Sequence, residues 1–238
     1  MPDRLRTFSD IVLSATKGID YDIRVREAGG YVTVAAIHGG SIEPLTSEIA
    51  RAVAGQDYNL YDFRGLRAGR NDELRVSPLR YDEARLLALV ARSKTVLSIA
   101  GVADVGMTLQ VGGANATLRN VLLEALVRSG FDSRPSATPG IGSSPAFFFN
   151  RAEKGGVQIE LSQALRASLI DCPLHACQWE DPTSWNDRMH LLVQTIREAM
   201  DLYVSGDRVD LAETLERFER TTRLIPKWMR HAQHDEDG

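Results

Sequence analysis

Short apolar runs that alternate with amphipathic stretches are the main pattern along this chain. Residues 31–37 are apolar and β-branched, which predicts a buried strand. Residues 45–54 carry apolar side chains four positions apart and are followed by Gly55, which predicts a helix. The same patterns predict further strands over 59–63, 95–99, 107–111, 131–136 and 156–161 and helices over 81–93 and 114–129. This alternation predicts an α/β fold with a mixed twisted sheet and helices on both faces.

Two other patterns concern the first two predicted strands and the C-terminal part of the chain. Residues 21–27 and 31–37 flank Ala28-Gly29-Gly30, which is typical of a β-hairpin, so we expect these strands to be antiparallel neighbours. Beyond Cys172 the pattern is helical, with one helix predicted from residue 183 or 184 to about 205 and another over 209–223. We expect an α/β domain over 1–171, a helical extension over 172–226 packed on it, and a disordered tail over 227–238.

The composition argues against several kinds of partner. The 238 residues carry a formal net charge of -4, and no Lys/Arg cluster interleaved with aromatic residues indicates a nucleic-acid surface. No apolar run approaches the about 20 residues that cross a bilayer, and residues 1–7 lack the apolar core of a signal peptide. Cys172 and Cys177 are the two cysteines, which suits a reducing compartment. We expect a cytoplasmic monomer or small homo-oligomer without nucleic-acid or membrane partners.

A glycine-rich loop after the strand at 31–37 carries two zinc ligand types. His38 and Glu43 flank this loop, and Gly39 and Gly40 let the backbone turn so that both side chains can reach one ion. Such a turn lies at the carboxyl end of a strand, where open α/β sheets keep their sites. The alternative is a loop histidine and an exposed glutamate that stabilises the helix start. Spacing alone leaves both interpretations open.

A further candidate is Glu160, a carboxylate on an otherwise apolar predicted strand. Strand alternation places Gln158 and Glu160 on one face and apolar residues on the other. Burial raises the pKa of a carboxylate, which is what a general base acting near neutral pH requires. The alternative is a structural ion pair with Arg151 or Arg166.

Several arginines lie on loops expected to flank these positions. Arg64, Arg67 and Arg70 follow one strand, and Asn150 and Arg151 precede the strand that carries the glutamate. A guanidinium group binds a substrate carboxylate through two parallel hydrogen bonds, so these residues are candidates for an acidic-substrate pocket. Each arginine taken alone is also compatible with a solvated surface position.

A series of motifs, in order along the chain, gives a specific resemblance. The motifs are His38-Gly39-Gly40-Ser41-Ile42-Glu43-Pro44, Thr46-Ser47-Glu48, Phe63-Arg64-Gly65-Leu66, Ser98-Ile99-Ala100-Gly101, Val111-Gly112-Gly113, Gly130-Phe131, Asn150-Arg151 and Gly156-Val157-Gln158-Ile159-Glu160-Leu161-Ser162. Over residues 21–169 the chain resembles the phage-type poly-γ-glutamate hydrolase family. Members are similar to zinc carboxypeptidases in fold and cleave γ-glutamyl amide bonds. The resemblance implies that His38 and Glu43 bind zinc and that Glu160 is the general base.

One position departs seriously from the family pattern. Where the family has Ser-Ile-His-Gly, with the histidine as third zinc ligand, this chain has Ala100, whose methyl group coordinates nothing. Arg75 likewise stands where the family favours a histidine. The sequence leaves three explanations open: an engineered His-to-Ala change, a natural non-catalytic relative, or a site rebuilt with a ligand such as Asp104 or His175.

The leading hypothesis is a zinc-dependent hydrolase of amide bonds in γ-glutamyl or glutamate-rich substrates, impaired or inactivated by Ala100. The candidate substrate-binding residues are Arg151, Asn150, Arg64 and Gln158. The alternative is a non-catalytic binding module that has lost the metal.

Overall fold

The computed structural model describes residues 6–136, 144–174 and 179–206. Within these ranges the strands are β1 (Tyr21–Arg26), β2 (Val32–Gly40), β3 (Asn59–Gly65), β4 (Thr95–Val102), β5 (Thr108–Gly112), β6 (Asp132–Pro135) and β7 (Gly156–Ser162). The α-helices are α1 (Phe8–Val12), α2 (Thr46–Ala54), α3 (Ala84–Arg92), α4 (Ala116–Arg128), α5 (Gln163–Ala167) and α6 (Asp187–Gly206). Short 3-10 helices cover Asn71–Leu74, Phe148–Arg151 and Pro182–Ser184.

All of these strands join one mixed sheet. Its strand order is β1-β3-β2-β4-β7-β5-β6. The four central strands β3, β2, β4 and β7 are parallel to one another. β1 is antiparallel to β3, β5 is antiparallel to β7, and β6 runs parallel to β5. The predicted α/β fold with a mixed sheet is therefore confirmed.

Helices cover both faces of the sheet, and each face has its own hydrophobic core. Val34 and Ala36 of β2 belong to one core, which includes buried residues of α2, α4 and α6. Ala35 and Ile37 of the same strand belong to the other, which includes residues of α1 and α3 and a group of packed aromatic rings. Because alternate strand residues point to opposite faces, β2 is covered on both sides. This explains its uninterrupted apolar sequence.

The predicted hairpin between the first two strands is wrong. β3 lies between β1 and β2, and it pairs with β1 from Tyr21 opposite Gly65 to Arg26 opposite Leu60. The burial of the two strands gives the physical reason. β2 is buried at all nine positions, as expected for an interior parallel strand, whereas β1 is only partly buried, as expected for an edge strand.

The helix predicted from residue 183 or 184 begins later, as α6, at Asp187. Asn186, which precedes it, accepts hydrogen bonds from the backbone N–H groups of Arg188 and Met189. α6 packs on α4 and α2, and its buried residues share a core with the sheet. The second predicted C-terminal helix and the predicted tail lie outside the described residues.

Two further observations concern the cysteines and the helices. Cys172 is disulfide-bonded, so the expectation of reduced thiols does not hold for this residue. Across the three described ranges, none of the helices combines the length and the apolarity that crossing a membrane requires.

Candidate active site

The candidate site lies at the carboxyl edge of the parallel strands. β2 carries His38 near its end, β4 carries Ala100, and β7 carries Glu160. Ala100 and Glu160 are direct partners in the β4–β7 register. Gly40, with φ +59°, ends β2 in a backbone conformation that favours glycine and turns the chain into the loop that carries Glu43. The site therefore occupies the edge where open α/β sheets bind their ligands.

The loop brings His38 and Glu43 together, as their spacing predicted. The Glu43 backbone N–H donates to the His38 carbonyl oxygen at 2.9 Å, which closes the turn. His38 Nδ1 then lies 3.1 Å from Glu43 Oε1, while Nε2 lies 2.9 Å from the Val76 carbonyl oxygen. A carbonyl oxygen only accepts, so Nε2 donates this hydrogen bond. This arrangement leaves Nδ1 directed at the carboxylate, and a backbone carbonyl on the opposite nitrogen is the usual support of a metal-binding histidine.

Glu43 is a buried carboxylate with three partners. Gly101 donates its backbone N–H to Oε2 at 2.5 Å, and Arg75 donates Nη2 to Oε1 at 2.5 Å. Burial alone raises the pKa of Glu43, but His38, Arg75 and the Gly101 N–H together hold it below its ordinary value of 4.5. Glu43 is therefore ionised at neutral pH.

Glu160 is buried without a cationic partner among the described residues. Its Oε2 accepts from Ser136 Oγ at 3.2 Å, and its Oε1 accepts from Gln158 Nε2 at 3.2 Å. Burial raises its pKa, and the negative charge of Glu43 raises it further, whereas the two hydrogen bonds lower it. The ion-pair alternative considered for Glu160 is not what the structure has. The carboxylate is held by neutral donors in a setting that keeps it basic.

The described residues do not make up a three-ligand zinc centre. Ala100 presents a methyl group at this edge, and no group of three or more His, Cys, Asp and Glu side chains that could hold a metal occurs in the described ranges. Asp104, a possible replacement ligand, is bound within its own loop by Gly106 and Thr108. His175, the other one, lies outside the described residues. Among the described residues, His38 and Glu43 are the zinc ligand types that the loop after β2 brings together.

The two main arginine anchors proposed from the sequence are engaged elsewhere. The Arg64 guanidinium is buried among acidic side chains, where it donates to Glu180 and lies 3.6 Å from Asp62. Arg151 donates to two backbone carbonyl oxygens of its own loop, at 3.2 and 3.0 Å. Both groups therefore stabilise neighbouring segments.

The other polar residues proposed from the sequence differ in their contacts. Asn150 bridges two loops through backbone groups of Ala114 and Ser144. Arg67 and Arg70 both pair with one glutamate near the surface. Of the substrate-binding candidates, Gln158 is the one that the structure shows in contact with a candidate catalytic carboxylate.

Sequence reasoning considered Arg166 only as an ion-pair partner of Glu160, whereas the structure places it against the loop that carries Glu43. Ser162 caps α5 by accepting from the Leu165 N–H at 3.1 Å, and this sets the start of the helix that carries Arg166. The buried guanidinium donates to the Pro44 carbonyl oxygen at 2.9 Å. It packs so closely on Gly101 that a Cβ there would lie 2.7 Å from its Cζ. Arg166 thus holds the Glu43 loop against β4.

A buried polar group lies directly beneath the glycine turn. Ser47 Oγ donates to Asp62 Oδ1 at 2.6 Å and accepts from the Gly40 N–H at 2.8 Å. Burial raises the pKa of Asp62 to about 6 and that of Glu48, the residue after Ser47 in α2, to about 7. These contacts tie the turn to α2 and β3, and they add carboxyl groups that hold their protons to unusually high pH.

Glu48 should make the stability of the fold fall as the pH rises. The unfolded chain releases this proton near pH 4.5, whereas the folded chain holds it to about pH 7, so the folded state binds more protons between these values. Its contribution is complete below pH 4.5 and is lost as the pH rises through 7. Between pH 5 and pH 8 we expect this residue to lower the free energy of unfolding by about 2 kcal/mol.

Urea unfolding of Glu48→Gln at both pH values tests this expectation, because the amide does not titrate. The variant should lose less stability than the wild type over this interval. Glu27→Gln, at an exposed ion pair with Arg92, should keep the wild-type profile. Identical pH dependence in Glu48→Gln and the wild type would contradict the assignment.

Comparison with known proteins agrees with this architecture. The family model for poly-gamma-glutamate hydrolase matches residues 6–194. The UPF0714 protein YndL of Bacillus subtilis (strain 168) is 35% identical over 154 residues, which cover 63% of this chain and 61% of YndL. The UPF0714 protein YmaC of the same organism is 28% identical over 174 residues, 71% of this chain and 73% of YmaC. The match to YndL thus spans less than two thirds of that protein.

Solved structures show the same fold. A bacteriophage poly-gamma-glutamate hydrolase superimposes with a TM-score of 0.78 at 24% identity, covering 84% of this chain and 97% of the phage protein. YndL, in a form described as apo and zinc-free, gives a TM-score of 0.75 at 28% identity, covering 82% of this chain and 96% of YndL. The fold and the family match define a class of α/β amide hydrolases. The chain belongs to the poly-γ-glutamate hydrolase family, as the sequence motifs predicted.

Proposed function

We propose that this chain binds γ-glutamyl or glutamate-rich chains at the carboxyl edge of its sheet, and that its zinc-dependent hydrolysis of their amide bonds is impaired. One observation carries the proposal: His38 and Glu43 converge as metal donors, while Ala100 supplies only a methyl group beside Glu160. Membership in the family supports the substrate class. The zinc-free form of YndL supports zinc as the metal that the family site takes.

The surroundings of Glu160 support its assignment as the proton acceptor in amide hydrolysis. Hydrogen bonds from Ser136 and Gln158 fix one carboxylate oxygen each, so the group is already oriented before substrate arrives. Its burial and the nearby charge of Glu43 raise its pKa, which makes it a stronger base than an exposed glutamate. A hydrolase of this family requires such a group.

The orientation of His38 supports a vestigial metal site. Nε2 is held by the Val76 carbonyl oxygen, so Nδ1 faces Glu43 Oε1, an oxygen that Arg75 also contacts. Two protein donors bind zinc more weakly than the three that catalytic sites use. A zinc ion held by His38 and Glu43 alone would therefore dissociate easily, and hydrolysis would be slow.

Restoring a third donor tests the proposal directly. After dialysis, the wild-type chain should retain well below one zinc per molecule, whereas Ala100→His should retain about one, as three-ligand sites do. The same variant should release glutamate from poly-γ-glutamate. Inductively coupled plasma mass spectrometry measures the zinc, and an amine-release assay measures the cleavage.

Ala103→His is the matched control, since it adds an imidazole to an exposed position of the adjoining loop. It should change neither zinc content nor turnover. The competing function is a binding module without hydrolysis, which the ion pair between Arg75 and Glu43 favours. If Ala100→His gains neither zinc nor activity while binding of poly-γ-glutamate persists, the binding module is the better description.

A further inference from the structure

We propose that Arg75 takes the place of a metal ion in this site: its guanidinium group neutralises Glu43 and binds an α-carboxylate of the γ-glutamyl chain, so that ligand binding needs no metal. In a γ-linked glutamate chain every residue keeps a free α-carboxylate, which is the anion that a guanidinium fork recognises. This inference rests on the proposed function for its ligand. The part of the inference that concerns the metal depends only on contacts and charges within this chain.

The guanidinium group lies at the point where the metal donors meet. Arg75 Nη2 is 2.5 Å from Glu43 Oε1, and the same oxygen is 3.1 Å from His38 Nδ1. Oε1 is therefore shared between the imidazole and the guanidinium group, while Oε2 is taken by the Gly101 N–H. A cation that used Glu43 and His38 together would have to share this oxygen with Arg75.

Arg75 keeps donors for a ligand after it has bound Glu43. A guanidinium group has five N–H donors, and among the described residues Glu43 is the one acceptor of the Arg75 side chain. That side chain is 46% exposed, whereas the side chain of Arg64 is 4% exposed. Two nitrogens of Arg151 already donate hydrogen bonds to backbone carbonyl oxygens. Arg75 is thus the arginine of this edge that combines accessibility with unused donors.

The local charge favours an anion over a second cation. Arg166 is buried close enough to Glu43 and Arg75 for both charges to act on it. Glu43 pairs with Arg75, whereas Glu160, the second carboxylate at this edge, makes no ion pair among the described residues. The two guanidinium groups beside Glu43 attract a ligand carboxylate and repel a divalent metal ion.

Binding measurements in a metal chelator test the ligand half of the inference. Isothermal titration with γ-linked tetraglutamate should give the same dissociation constant for the wild-type chain with and without EDTA. Arg75→Ala should weaken binding by about tenfold or more, the scale of a lost charge-assisted hydrogen bond, and Arg75→Lys should fall between the two. Arg70→Ala, at an exposed arginine paired with Glu73, is the control and should bind as the wild type does.

Either of two results would overturn the proposal that Arg75 binds the ligand without a metal: loss of binding in EDTA, or unchanged binding by Arg75→Ala. Thermal unfolding of each variant checks that it is folded, and Arg75→Lys keeps the positive charge if Arg75→Ala is unstable. A wild-type chain that binds no γ-linked glutamate at all would overturn the proposed function and the ligand half together. The metal half is then decided by a separate measurement.

Zinc affinity tests the metal half without any γ-glutamyl ligand. Competition with a chromophoric chelator gives the zinc dissociation constants of Ala100→His and of the double variant Ala100→His/Arg75→Ala. The double variant should bind zinc at least about tenfold more tightly than Ala100→His does. The reason is that the guanidinium group no longer competes for Glu43 and no longer repels the ion. Equal affinities would show that Arg75 does not occupy the metal position.

Discussion

Replacing Gly39 with alanine is expected to lower the free energy of unfolding by about 3–5 kcal/mol, through overpacking and the loss of a buried hydrogen bond. A Cβ at this position would overlap Ser47 Oγ and Asp62 Oδ1 and would lie 3.0 Å from the Phe63 carbonyl oxygen. The two overlapped atoms hydrogen-bond each other, and Ser47 Oγ also holds the Gly40 N–H. Neither can move without leaving a buried polar group unpaired.

Gly69→Ala is the matched control for this substitution. A Cβ at Gly69 has no heavy atom within 4 Å, so the added methyl group should leave the free energy of unfolding nearly unchanged. Urea titrations of the two variants and the wild type, followed by circular dichroism, give the comparison. A Gly39→Ala variant with the wild-type midpoint would mean that the turn beneath His38 is far looser than its contacts indicate.

Glu160→Gln, introduced into the Ala100→His background, is expected to lower kcat by about 10², the scale of a positioned general base. The amide has nearly the shape of the carboxylate but cannot take a proton. Because Glu160 makes its hydrogen bonds to Ser136 and Gln158, the zinc content should remain that of Ala100→His. Loss of turnover with retained metal is therefore the expected signature.

A second glutamate serves as the control for that measurement. Glu153 is exposed and pairs with Lys94, so Glu153→Gln should leave kcat unchanged. Initial rates with poly-γ-glutamate and zinc analysis of the same samples supply both readouts. If turnover survives in Glu160→Gln, this residue is not the proton acceptor, and the hydrogen bonds around it serve only the packing of β7.

The parts of the site that depend on local chain geometry were predictable from sequence. A strand, a glycine turn and a helix follow one another within a few residues, and these local rules suffice to bring His38 and Glu43 together. Strand alternation likewise places Gln158 beside Glu160. Ala100 was recognisable as unusual from its motif, and the register with Glu160 shows where its methyl group lies.

The parts that depend on long-range contacts were not predictable in this way. Arg75 and Arg166 are distant in sequence from Glu43, and long flexible side chains reach it only after the sheet has assembled. The same limit explains the hairpin error. Gly29 and Gly30 permit a tight turn, but β3 offers β1 a better partner, and no local signal reports that competition. Strand order is set by the whole core, not by the connecting residues.

During synthesis, the core that α6 shares with α2, α4 and the sheet stays incomplete until α6 has left the ribosome. Met189, Ile196 and Tyr203 complete a core whose earlier members include residues of α2 and α4. At about 5–20 residues per second, the interval between the emergence of α2 and that of α6 is roughly 8–30 s. Throughout that time the nascent chain exposes the apolar residues that α6 later covers. We therefore expect its folding in the cell to involve protection by a chaperone or a collapsed state that resolves slowly.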